Sequence, residues 1–359
     1  MNKNYLIGPH QMAFDITNRC NLRCLHCFNS SGENAIINNE LSDSEVINFI
    51  ASLLPIHLFN LCFCGGETLI RKDLIVQCAK MLSNTGTNVS LVTNGCLITK
   101  DVVRELVAAG ITNIQFSLDG MTPKSHDKLR NQQGVYEKVI QAIGIANEYK
   151  LRIAVAFTPT SFNYHELKDI HKFLQDIAFY RDGRIQMELR CQPLMKLGRA
   201  NKNLDSILLN DQQYRELVSE IDSINAASPA LKIDWGDPID HLLRFTEKTD
   251  MIQNFSNIRA NGDITVSPYL PLIVGNIRKH SFIDYWNHGL NDIWRRKIPR
   301  ILASFLKSIY DMGTLSDILP ETFNGEEIYL DLFEYDLDDE NLIKKYLLKK
   351  PANKSQLGV

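Results

Sequence analysis

Hydrophobic positions in the first half of the chain fall into short, β-branched runs closed by polar or glycine-bearing turns, at residues 12–17, 58–64, 88–93, 113–118, 152–158 and 185–190. Runs of this length and composition predict strands. Between them, at 44–54, 74–82, 100–109, 135–150 and 164–179, apolar residues recur at helical spacing. Several of these segments open on Ser, Asp, Thr or Asn, which can cap a helix. Strict alternation of strand and helix predicts a parallel sheet. Six β/α units over about 180 residues fall short of a closed eight-fold barrel, and suit an open one with its working face at the carboxyl ends of the strands.

The pattern changes after residue 210. A helix is expected over 211–225, then Pro- and Gly-punctuated segments, a hairpin around Ala260-Asn261-Gly262-Asp263, and a helix from Ser281 onward. The expected fold is therefore α/β: a partial (β/α)6 TIM-type barrel over residues 1–200, a smaller α+β domain over 201–300, and a helical and acidic extension over 301–359. Within that extension, residues 321–340 carry nine acidic side chains and no lysine or arginine. A partly solvated edge strand followed by a Lys-rich tail is expected there rather than a partner-binding tail.

Composition changes this picture little. Of 359 residues, 44% are hydrophobic and 23% charged, ordinary for a globular chain, and a net charge of −3 supplies no electrostatic reason to bind nucleic acid. The first ten residues fit no signal or transit peptide, and no apolar run approaches a membrane span. A cytoplasmic location is expected. In that compartment the eight cysteines are expected to be metal ligands, catalytic thiols or small core residues rather than disulfides.

The chemistry starts directly after the first strand, where CNLRCLHC places thiols at Cys20, Cys24 and Cys27. Thiolates are soft donors that suit iron–sulfur clusters or zinc. Three on one loop can hold three corners of a cubane and leave the fourth iron open, whereas structural zinc needs a fourth ligand, for which His26 is the local candidate. The spacing alone leaves zinc as an alternative.

With this C-x3-C-x2-C loop after strand one, the chain resembles the radical S-adenosylmethionine (SAM) superfamily, and the resemblance recurs at successive strand ends. Cys64-Gly65-Gly66-Glu67-Thr68 looks like the family's Gly-Gly-Glu motif, which implies that Gly65, Gly66 and Glu67 hold SAM's amino group; Thr68 stands where the family usually has proline. Asn94, in Thr93-Asn94-Gly95, and Ser117, in Ser117-Leu118-Asp119-Gly120, resemble positions lining the rest of SAM. The segment from His126 to Val135 is similar to peptide-maturing members, with Arg130 or Lys138 as the cation for SAM's carboxylate. The resemblance implies one-electron cleavage of SAM to a 5′-deoxyadenosyl radical, with flavodoxin or ferredoxin as electron donor.

Further on, Pro193, Gly198-Arg199-Ala200 and residues 259–276 resemble the SPASM or twitch region that holds auxiliary clusters in peptide maturases. Ser267 and Pro268 stand where a cysteine is expected, and the 168 residues after Cys191 contain none. A scaffold without its metal, and hence a single cluster, is predicted. Cys191, at the end of the sixth strand, is a candidate hydrogen donor, as a cysteine is in peptide epimerases of this superfamily; Cys62 and Cys78 are expected to be small core residues.

The resemblance implies modification of a ribosomally made peptide by epimerisation or cross-linking. Only about ten residues precede the first strand, so leader recognition is expected from a separate protein or the C-terminal half. Tailoring of a small molecule or tetrapyrrole-type cofactor is the alternative. A non-catalytic iron–sulfur or zinc scaffold is the alternative from another class, and it leaves Gly65-Gly66-Glu67 unexplained.

Overall fold

The structure, a computed structural model, describes residues 7–33, 39–247, 253–270, 272–308, 311 and 328–347. Six parallel strands lie side by side in chain order: β1 (Gln11–Thr17), β2 (Asn60–Gly65), β3 (Asn88–Thr93), β4 (Ile111–Ser117), β5 (Arg152–Phe157) and β6 (Met187–Cys191). Each strand through β5 leads into one or more helices. The principal ones are α1 (Asp43–Leu53), α2 (Lys72–Ser83), α3 (Lys100–Ala108), α4 (Pro123–Arg130), α5 (Val135–Glu148) and α6 (Leu167–Asp176). This is the expected run of six β/α units.

The two faces of the sheet differ, as period-2 side-chain alternation requires. Phe14, Phe63, Ile114, Phe116, Val155 and Phe157 are fully buried. The alternate residues Val92, Gln115, Ser117 and Ala156 line a cavity. Amphipathic helices cover the first face; α6, for example, buries Leu167, Ile170 and Leu174.

The later strands extend this sheet at both edges. β7 (Ile233–Trp235) pairs parallel with β6, while β8 (Phe255–Ile258) pairs parallel with β1. β8 continues through antiparallel β9 (Asp263–Thr265) and β10 (Leu272–Asn276) to β11 (Ile328–Tyr329), so among the described residues eleven strands form one sheet across the boundary expected near residue 200. The hairpin turns at the expected residues, with Gly262 at φ +90°. Ser281 caps a helix as predicted, α10 (Phe282–Asn287) in this numbering after α7 (Gly198–Ile207), α8 (Asp211–Ala227) and α9 (Pro238–Glu247).

Of the acidic segment, residues 321–327 lie outside the described residues, as do residues 348–359 of the Lys-rich tail, while the start of that tail forms a helix over Glu340–Leu347. The remainder of the acidic segment supplies edge strand β11 and buries Leu330 and Asp331, whose carboxylate accepts hydrogen bonds from Tyr285 (2.9 Å) and Tyr329 (3.2 Å). No helix among the described residues is long and apolar enough to cross a membrane.

Candidate active site at the carboxyl end of the sheet

The loop after β1 is held from several sides. Arg23 folds back on its own loop, donating to the carbonyls of Cys20 (2.8 Å), Leu22 (2.9 Å) and Gly32. Arg199, at the start of α7, donates to the carbonyls of Cys24 (3.1 Å) and Ser31 (3.1 Å) and pairs with Glu33 (2.9 Å). Gly198 approaches so closely that a Cβ there would lie 2.5 Å from the Phe28 oxygen. The Gly-Arg-Ala step noted in the sequence is thus a clamp on the cysteine loop, a role its pattern did not disclose.

Gly65 and Gly66 bring the end of β2 against the stem of the same loop. A Cβ on Gly65, whose φ is +129°, would lie 2.1 Å from the Thr17 oxygen, and one on Gly66 2.2 Å from the Arg19 oxygen. Here glycine permits contact between two backbones, a use distinct from close approach to a ligand. Glu67 is fully buried, and its carboxylate accepts from Thr93 Oγ1 (2.8 Å) and from the Leu69 (3.1 Å) and Asn94 (2.9 Å) amides. Burial pushes its pKa up. The side chain ties β2 to β3, and Asn94, placed by that tie, donates to Asn21 of the cysteine loop (2.8 Å).

One cavity of about 210 Å³ collects most of the sequence-predicted residues: Cys20, Cys24, Cys27, Gly65, Gly66, Asn94, Ser117 and Arg130 all line it. Glu67 lies behind the wall. Lys138 is exposed on α5 and is not among the lining residues. Cys191 falls elsewhere: its register partner is Phe157, it is fully buried in the apolar core, and burial raises its pKa. The cavity is lined instead by its neighbours in register and sequence, Ala156 and Gln192, so the alternation of the strand turns the Cys191 thiol away from it.

A buried charge cluster that sequence reasoning missed lies beside the loop. Arg130 pairs with Asp119 (2.5 Å) and lies 3.7 Å from Cys24 Sγ. Asp119 Oδ1 accepts from the Thr158 amide (2.9 Å), and His26 Nε2 is 3.7 Å from Asp119 Oδ2. Burial works to raise the Asp119 carboxyl, but Arg130 overrides it and holds it below its usual range. Burial lowers both His26 and His126 to about 4. His26, the candidate fourth zinc ligand, thus faces a carboxylate as a neutral ring. Burial also pushes the Cys20 thiol up to about 11.

The residues present fit a cubane and SAM. The three thiols line one cavity, and a cubane takes one thiolate at each of three separate corners. In the same lining, His26 Nδ1, Ser31 Oγ and Arg130 Nε are buried without a hydrogen-bond partner, polar atoms suited to a polar ligand.

Comparison with known proteins agrees with this arrangement. Residues 14–177 match the model of the radical SAM superfamily. An AdoMet-dependent heme synthase of Methanosarcina barkeri is 24% identical over 302 residues, covering 79% of this chain and 83% of that protein. The sporulation killing factor maturation protein SkfB of Bacillus subtilis is 26% identical over 288 residues, covering 77% of this chain and 64% of that one. Among solved structures, SuiB of Streptococcus suis bound to S-adenosylmethionine aligns with a TM-score of 0.61 at 16% identity, over 79% of this chain and 66% of its own; SuiB is also known bound to its precursor peptide SuiA. The chain therefore spans somewhat under two thirds of the length of SkfB and SuiB, and most of that of the heme synthase. The fold shared with SuiB is the partial TIM-type barrel.

Proposed function

Because residues 14–177 are a radical SAM domain, we propose that this chain is an enzyme that holds one [4Fe–4S] cluster on Cys20, Cys24 and Cys27 and cleaves SAM reductively, acting on a ribosomally made peptide. The observation that carries the reading is the convergence of the three thiols, Gly65, Gly66, Asn94, Ser117 and Arg130 on one cavity. When bound, the cluster supplies the electron that splits SAM into methionine and a 5′-deoxyadenosyl radical able to take hydrogen from substrate.

The chain's own residues then have separable roles. Arg23 and Arg199 fix the loop, so the thiols are held in place before the cluster arrives. Asn94 and the glycine backbone would border SAM's methionine, with Glu67 acting through Asn94 as a positioning residue. Arg130 is shared between Asp119, Cys24 and the cavity, and its unpaired Nε is available to SAM's carboxylate. Ser117 would line the rest of SAM, and the polar side chains of Gln115, Thr158 and Gln192 in the same cavity would face substrate.

A peptide substrate is supported by SkfB and SuiB, and epimerisation or cross-linking is the expected chemistry. Tailoring of a tetrapyrrole-type molecule is the second reading, favoured by the wider coverage of the heme synthase. Ser267, in the place expected for an auxiliary-cluster cysteine, is buried and accepts from the Tyr269 amide (3.2 Å), which supports a single cluster per chain.

The test is anaerobic reconstitution with iron and sulfide, then dithionite and SAM. About four irons per chain and 5′-deoxyadenosine are expected, both lost in the Cys20/Cys24/Cys27→Ala variant. Iron without SAM cleavage, or retained zinc, overturns the reading. Product formation with synthetic peptides against porphyrins then separates the two substrate classes.

A further inference from the structure

Two cysteines outside the cluster loop share one face of β2. Cys62 and Cys64 are two residues apart, so both point to the same side of the sheet, and their sulfurs lie 3.5 Å apart. That side is the cavity side. Cys64 pairs in register with Asp15 and Cys62 with Ala13 and Ser90, while Val92 and Gln115, one step further along the next two strands, line the cavity. Both thiols are half-buried, neither in the apolar core nor on the outer surface. Cys62, expected as a small core residue, is half-buried on the barrel-interior face of β2 and is not among the residues that line the cavity.

The two sulfurs are within hydrogen-bonding distance of each other. Cys64 donates to Cys62, which lowers the Cys62 pKa and raises that of Cys64. A pair with one thiolate-prone and one proton-holding member is suited to thiol–disulfide exchange. Positions i and i+2 of a strand are about 6.6 Å apart at Cα, near the upper end of the span a disulfide bridges. A bond closed there is strained, and strained disulfides are the ones readily reduced again.

We propose that Cys62 and Cys64 form a reversible dithiol–disulfide couple on the barrel-interior face of β2, directly before the glycines that line the cavity. The Cys62 thiolate attacks a low-molecular-weight disulfide such as oxidised glutathione and expels one glutathione thiolate. Cys64, losing its proton to solvent, then attacks the Cys62 sulfur and expels the second. Two protein thiols and one glutathione disulfide become one protein disulfide and two glutathione thiols. Closing the bond shortens β2 immediately before Gly65 and Gly66, whose backbone rests on Thr17 and Arg19 at the root of the cysteine loop. Oxidation therefore loosens that loop. This consequence for catalysis rests on the proposed radical SAM activity; the couple itself does not.

Two measurements test it without activity. In the Cys20/Cys24/Cys27→Ala variant, phenylarsine oxide, which bridges close thiol pairs with loss of water, is expected to bind stoichiometrically. Adding Cys62→Ser or Cys64→Ser, checked for folding by circular dichroism, abolishes that uptake. In wild-type protein equilibrated in glutathione redox buffers and then alkylated, Cys62 and Cys64 are expected to become protected together, in a single two-electron transition. Independent alkylation of the two, or no arsenical uptake in the loop variant, overturns the proposal even if SAM is cleaved. A normal couple in a protein that never forms 5′-deoxyadenosine leaves it standing and removes the reading above.

Discussion

The carboxyl end of the β1–β6 barrel and the flank built from β8–β11 belong to one sheet but bury opposite kinds of matter. The barrel end buries Glu67, Asp119, His26, His126 and Arg130, and leaves atoms of His26, His126 and Arg130 unpartnered. The flank buries Tyr285, Trp286 and Trp294, and its fully buried Asp331 is bonded by two tyrosine hydroxyls. Both regions keep unsatisfied buried polar atoms, on Gln253, Ser256, Asp292 and Arg296 in the flank, but those of His26, Ser31 and Arg130 belong to residues that line the cavity, where a bound ligand can satisfy them and offset their cost.

The largest effect that sharpens the contrast is expected at Arg130. Arg130→Met leaves Asp119 buried without its cation and is expected to cost about 3–5 kcal/mol in urea unfolding, with SAM cleavage lost. The double variant Arg130→Met/Asp119→Asn recovers most of the stability and none of the cleavage. Recovery of both would mean that the pair serves the fold alone.

On the other flank, Trp286→Ala removes a fully buried ring and is expected to cost about 3–5 kcal/mol, while 5′-deoxyadenosine formed per folded molecule stays unchanged. A fall in that ratio would break the division between the regions.

Next in size is a pH effect carried by one histidine from each region. His126 and His241 are lowered to about 4, chiefly by burial, against an ordinary 6.5. Between these values the unfolded chain binds more protons, so stability is complete above about pH 6.5 and drains away as pH falls toward 4. For the fully buried His126 this is worth up to about 3 kcal/mol. Asp15, raised to about 6 by burial, works in the opposite direction, so Asp15→Asn steepens the loss. Thermal unfolding of the metal-free protein from pH 7 to 4 checks both signs.

The smallest contrast is between matched caps. Ser42 opens α1 beside the cysteine loop and Ser281 opens α10 on the flank, each in a reciprocal capping box. Each Ser→Ala change is expected to cost about 1 kcal/mol, but only Ser42→Ala should also reduce iron retention. Its partner Glu45 is bound to Arg278, which also donates to the Glu40 carbonyl, and the Glu40 carboxylate accepts from Thr17 and Asn18.

Legibility in the sequence followed the same division of matter. The six core strands stood out because their apolar runs end in turn residues, and β3 was bounded to the residue. Helix α4 was missed because its buried face is Ser125, His126, Leu129 and Arg130, which shows almost no apolar periodicity. The pairing of β8 with β1 carries no local signal, since the partners are some 240 residues apart. The thiols, Gly65, Gly66, Asn94 and Ser117 meet at one cavity because each lies at or just past a strand end, whereas Arg130 reaches it from the last turn of α4. Glu67 and Cys191 were harder: the first depends on which neighbours claim its carboxylate, the second on a single step of strand register.

The same long-range pairing bears on how the molecule is made. On a ribosome, β1 emerges first and gains β2 within about fifty residues, yet its other edge stays bare until β8 has been synthesised. Throughout that interval the strand that leads into the three cysteines presents an unpaired ladder, the kind of edge at which chains associate wrongly. The protein is thus most exposed to aggregation while it is being born, and a chain cut short before residue 255 keeps that vulnerability for its whole lifetime.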